Sequence, residues 1–120
     1  TTMALIADGQ VQVLAGEDAQ IFNTLCLGGA GAISASAHIR ADLYVEMQRR
    51  VAQGDLQGAR QLHYRLLPWM QAAFSEANPA AVKAALALLE LTHDEVRAPI
   101  LPCSQENRER LRQVLATLAD

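Results

Sequence analysis

The chain has 120 residues, 51% of them hydrophobic and 4% aromatic, which is enough apolar material for one folded domain and too little length for two. Ten Lys and Arg against thirteen Asp and Glu leave a net charge of -3, so no basic field gathers phosphate backbones and nucleic acid is not an expected partner. Apolar stretches are broken by Lys83, Glu90 or glycines before a membrane span of about 20 residues is reached, and Cys26 and Cys103 lack a CxxC spacing, so the expectation is a soluble cytoplasmic protein with reduced thiols.

Residues 1 to 8 read as a helical stub, and the absence of an initiator methionine inside this apolar-rich run suggests a cut end. Residues 11 to 15, Val-Gln-Val-Leu-Ala, form a β-branched run that stops at Gly16 and predicts a strand. Asp18 then stands where a helix cap is needed, Ile21 and Leu25 share one face with Phe22 and Cys26, and Gly28-Gly29 supplies a left-handed stop. The small apolar run 31 to 36, centred on Ile33, predicts a second strand, parallel and adjacent to the first across this short crossover.

From residue 40 the period becomes helical. Leu43, Met47 and Val51 recur at steps of four up to Gly54, and Asp55 opens a second helix with Leu56, Ala59, Leu62, Leu66, Met70 and Phe74 on one stripe. The short Gly54-Asp55 link makes the pair an antiparallel hairpin, with a kink expected at Pro68. Asn78-Pro79 reads as a cap and first-turn proline ahead of Val82, Leu86 and Leu89, and a last helix from Ser104 buries Leu111, Val114, Leu115 and Leu118. Two short parallel strands cannot close a sheet, so either the chain packs the pair between its helices or further strands come from a partner or from more polypeptide, and the cut-looking start favours the last.

Few side chains point to chemistry on their own. His38, His63 and His93 have none of the short spacings that place two ligands together, and no metal site is expected. Gly29-Ala-Gly31 opens a strand rather than a helix, the reverse of a dinucleotide fingerprint, and Ser34 and Ser36 lack the nucleophile-elbow pattern. His38 follows the second strand, and Glu17-Asp18 follow the first, at the ends where α/β proteins place reacting groups; capping is the commoner duty of the two acids. Cys26 is expected to pack as a small hydrophobe, and Trp69 and Met70 to lie in the core.

In order, Val13-Leu-Ala-Gly-Glu-Asp-Ala19, Leu27-Gly-Gly-Ala-Gly-Ala-Ile-Ser34, Leu66-Leu67-Pro68, Asn78-Pro-Ala-Ala-Val-Lys83 and Arg97-Ala-Pro99 resemble the C-terminal part of the dihydrodipicolinate synthase and N-acetylneuraminate lyase family. The resemblance implies an α/β, helix-rich fold: the C-terminal portion of a TIM (β/α)8 barrel, with its last two parallel strands in residues 1–54 and a C-terminal helical extension in 55–120. It implies a pyruvate-dependent class I aldolase or lyase whose Schiff-base lysine lies on a strand upstream of Thr1, so that no catalytic residue is carried here and the chain alone is inactive. Ile33 matches the residue whose carbonyl faces bound pyruvate, Gly16 the small residue that leaves room beside it, and Glu17, Ser34 and His38 would form the pocket rim.

Implied partners are pyruvate and an aldehyde or 2-keto acid, once an N-terminal barrel half is supplied, and further copies in a homo-oligomer; neither cofactor nor metal is implied. Glu17 stands where dihydrodipicolinate synthases often have Asp, His38 where they have Asn, and Ala77 and Ala81 where they have prolines, departures that leave the acceptor substrate open. The competing expectation is a non-catalytic helical interaction module derived from such a lyase.

Overall fold

The computed structural model describes residues 1–119, which form six helices and two short strands: helix and strand alternate at first, and after the second strand four helices follow in succession. Helix α1 (Thr2–Asp8) is capped by the Thr1 hydroxyl and ends at Gly9 in the left-handed region. Strand β1 is Leu14–Ala15 and β2 is Gly31–Ala32; they pair in parallel, Leu14 with Gly31 and Ala15 with Ala32. Both are shorter than the predicted 11–15 and 31–36. Main-chain bonds from Ala30 to Val13 and from Ile33 to Ala15 continue the ladder by one step at either end, after which residues 34 to 36 turn away to meet Asp18.

Helix α2 (Ile21–Cys26) makes the crossover, and Gly28, at φ 94°, provides the predicted stop. The turn into β2 is close-packed: a Cβ on Gly29 would lie 2.8 Å from the Thr24 carbonyl oxygen, to which the Gly29 amide donates. Cys26 corrects its reading, since it points to solvent rather than into the core.

Helices α3 (Ala41–Ala52) and α4 (Leu56–Ala73) form the predicted hairpin, joined through Gly54 at φ 80° and by the Asp55 carboxylate accepting from the Gly58 amide. The chain stays helical through Pro68. Met47, Leu66, Trp69 and Met70 from these two helices meet Leu111 and Leu118 of α6 (Gln105–Leu118) in the core, whereas Leu56 and Phe74, at the ends of the predicted stripe, are exposed. Each large side chain so buried contributes roughly 1.5–3 kcal/mol. Helix α5 (Ala80–Leu88) begins one residue later than read: Pro79 is the cap, and its carbonyl accepts from the Lys83 amide. Its buried face is made chiefly of Ala80, Ala81, Ala84 and Ala85 with Val82, and Leu89, one residue past the end of the helix, is exposed.

Helix α6 begins beside Ser104 as predicted, and the Ser104 hydroxyl caps it, accepting from the Asn107 amide. At the other end of α6, Arg40 donates to the Leu118 carbonyl, a group with no partner inside its own helix, while also pairing with Asp42. The start of α3 and the end of α6 are thereby tied. The helices cover the strand pair incompletely: Leu14 is 48% and Ile33 74% exposed, and each strand has one edge without a partner strand among the described residues. Among the described residues no helix is long and apolar enough to cross a membrane.

Candidate functional site

The carboxyl ends of β1 and β2 lie side by side because the strands are parallel, so the residues just past each strand meet. Past β1 the two acids part. The Glu17 side chain is exposed and accepts from the Ala19 amide at 3.2 Å, which makes Glu17 the cap of the following 3-10 turn. Asp18, read as that cap, instead points inward and is 2% exposed.

One carboxylate oxygen of Asp18, Oδ2, accepts three hydrogen bonds from the segment after β2: Ser34 Oγ at 2.8 Å, the Ser36 amide at 2.7 Å and Ser36 Oγ at 2.5 Å. The single proton of Ser36 Oγ is committed to Asp18, so the Tyr44 hydroxyl, 2.6 Å from Ser36 Oγ, must be the donor there. Burial, more than any neighbour, pushes the Tyr44 phenol well above its ordinary range and keeps it a neutral donor. Trp69 completes the cluster by donating its indole N–H to the Ser36 carbonyl at 2.8 Å. Strand ends, α3 and α4 are thus joined through one serine.

The remaining expected site residues lie on the open side of this cluster. Ile33 is held by its amide on the Ala15 carbonyl at 2.9 Å while its side chain faces solvent. Gly16 is exposed, and a Cβ there would meet nothing within 4 Å. Ser34 is half-buried and accepts from the Ala37 amide as well as donating to Asp18, which makes it a brace for the turn. His38 is exposed, with Nδ1 2.8 Å from the Ala35 carbonyl; an Nδ1–H donating there leaves Nε2 free to accept. A cleft of about 290 Å³ between α2, β2 and α3 flanks the cluster and is lined in part by Ser34, Tyr44 and Gln48. Larger hollows lie among residues 76–104, away from this cluster, one of them, about 520 Å³, beside Lys83 and Arg97.

Sequence reasoning brought Gly16, Glu17, Ile33, Ser34 and His38 to one end of the strand pair but missed the Asp18, Ser36, Tyr44 and Trp69 linkage. A usable signal existed for half of it, since polar residues just past two adjacent parallel strands should meet. Nothing in the local pattern pointed to Trp69, 33 residues from Ser36. Among the described residues no group of three metal-ligating side chains gathers.

A parallel strand pair joined by a helical crossover, backed by helices and carrying its polar residues at the strand carboxyl ends, defines an α/β protein of the kind that places chemistry at those ends. Residues 2–118 match the Dihydrodipicolinate synthetase family, and the chain belongs to it. It is 40% identical over 114 residues to the 4-hydroxy-tetrahydrodipicolinate synthase of Methanocaldococcus jannaschii, covering 95% of this chain and 39% of that one. It is 45% identical over 107 residues to the synthase of Syntrophobacter fumaroxidans, covering 88% and 37%.

Among solved structures it superposes with a TM-score of 0.91 at 30% identity on the chloride-inhibited dihydrodipicolinate synthase of Acinetobacter baumannii complexed with pyruvate, covering 97% of this chain and 40% of that one. The dihydrodipicolinate synthase of Thermotoga maritima matches at 0.88 with 38% identity, over 92% and 37%. The chain therefore spans about two fifths of the length of the relatives it matches.

Proposed function

We propose that this chain is the C-terminal segment of a pyruvate-dependent Schiff-base lyase resembling 4-hydroxy-tetrahydrodipicolinate synthase. Residues 1–54 supply the last two strands of a (β/α)8 barrel, and residues 55–120 its helical extension. The observation that carries the reading is the match of nearly the whole chain to part of a synthase complexed with pyruvate. The bare Ile33 and the unpaired strand edges support it, because a barrel interior and two flanking strands would cover them.

In this reading the neutral amine of a lysine supplied by other polypeptide attacks the keto carbon of pyruvate, the keto oxygen leaves as water, and the resulting imine loses a proton from its methyl carbon to give an enamine that adds to an aldehyde or 2-keto acid. This chain contributes surfaces to that chamber. The Ile33 carbonyl, which accepts no hydrogen bond from the described residues, faces the bound pyruvate. Gly16 leaves room at the end of β1, while Glu17, Ser34 and His38 line the rim and bear on the acceptor. Lys83 is no substitute nucleophile: it sits on α5, where its ammonium donates to the Glu95 carbonyl. Assembly of the complete lyase into a homo-oligomer is part of the same proposal.

Incubation with pyruvate and borohydride, followed by intact-mass measurement, tests the reading. The chain alone should gain no adduct, and joining it to the upstream barrel half of the Methanocaldococcus jannaschii synthase should give one on a lysine of the added half. An adduct on Lys83 of the isolated chain would overturn the assignment.

A further inference from the structure

Asp18 stands at a strand end, where an acid invites a direct role, yet it cannot reach outward. It is 2% exposed, and Oδ2 is occupied by three donors. All three come from residues just beyond Ile33. On the other side, the Ile33 amide is tied to Ala15, three residues before Asp18 in the chain. The segment carrying the Ile33 carbonyl is therefore pinned at both ends, by a main-chain bond to β1 and by a charge-assisted clamp from the residues after β1. The clamp is braced in turn by Tyr44 on α3 and Trp69 on α4, which fix Ser36 through its hydroxyl and its carbonyl.

We infer that Asp18 is a positioning residue, whose clamp on Ser34 and Ser36 aims the Ile33 carbonyl at the keto acid. The inference rests on the pyruvate reading and adds to it a residue that never touches substrate. Its mechanism is preorganisation: a carbonyl held in place before binding spares the substrate the cost of ordering the loop.

The test is Asp18→Asn in the chain joined to the upstream barrel half, with active sites counted by borohydride trapping so that misfolded protein is excluded. Per active site, the pyruvate KM should rise about ten-fold, the equivalent of weakening one charge-assisted bond by about 1.4 kcal/mol, with kcat changed less than about three-fold. Asp42→Asn, which removes only a surface pair with Arg40, is the control for lost charge and should leave the KM in place.

A lower count of active sites with unchanged KM would show that Asp18 serves folding alone and overturn the inference. Amide exchange gives a readout independent of turnover: in Asp18→Asn the Ile33 and Ser36 amides should exchange at least about ten-fold faster, while those of Leu66 and Met70 do not. If the unsubstituted joined protein traps no pyruvate, the functional reading fails by itself. Equal exchange at Ser36 in the two proteins overturns the clamp even then.

Discussion

Replacing Ser36 by alanine deletes one oxygen on which three elements depend. The side chain is fully buried, gives its proton to Asp18 at 2.5 Å and receives that of Tyr44 at 2.6 Å. Loss of a hydrogen bond to a charged group costs about 1.5–3 kcal/mol, and stranding the buried Tyr44 hydroxyl adds about 1 kcal/mol, for roughly 3 kcal/mol together. With a urea slope of about 2 kcal/mol per molar for a domain of this size, the unfolding midpoint should fall by about 1.5 M. The single tryptophan, Trp69, donates to the Ser36 carbonyl, so its fluorescence reads the transition at the site of the change. Tyr44→Phe leaves the Ser36 to Asp18 bond intact and should cost only about 1 kcal/mol. In the double variant no tyrosine hydroxyl is stranded, so its cost should fall short of the sum by about 1 kcal/mol. Strictly additive losses, or a Ser36→Ala cost below about 1 kcal/mol, would refute the chain of donors drawn above.

His63 offers a pH test. Burial lowers the pKa of its imidazole, which stacks on Phe22 at 5.5 Å and leaves Nδ1 buried without a partner among the described residues. Because the unfolded imidazole takes up a proton first, near pH 6.5, the stabilisation is complete above that value and is lost as pH falls through the lower folded pKa. The urea midpoint should therefore drop between pH 7.5 and 5.5, about equally spaced around that value, and His63→Leu should flatten the drop; equal drops in the two proteins would count against it. Gly29→Ala places a Cβ 2.8 Å from a backbone oxygen and should cost about 1–3 kcal/mol. Gly16→Ala, in open space, should change stability by less than about 0.5 kcal/mol, and similar losses at both positions would contradict the packing of the turn.

Much of the helical part of this protein was written in its local sequence. The Asp55 and Ser104 caps, the left-handed Gly28 and Gly54, and the apolar steps of α3, α4 and α6 each act within one or two turns of chain, so local sequence marked where α4 and α6 begin and where α2 and α3 end. The parallel pairing of the strands followed from the helix that carries the chain from one to the other. Local pattern failed where a residue had two possible partners. Asp18 and Glu17 are both competent caps, and only packing decided that Glu17 takes the turn while Asp18 goes inward to residues 16 and 18 positions away. Cys26 lies on the same helix as the buried Ile21 and Leu25, but no neighbour covers it. Tertiary structure alone brought Tyr44 and Trp69 to Ser36, because a buried hydroxyl or carbonyl must find its partner in three dimensions, and sequence separation carries no record of that search.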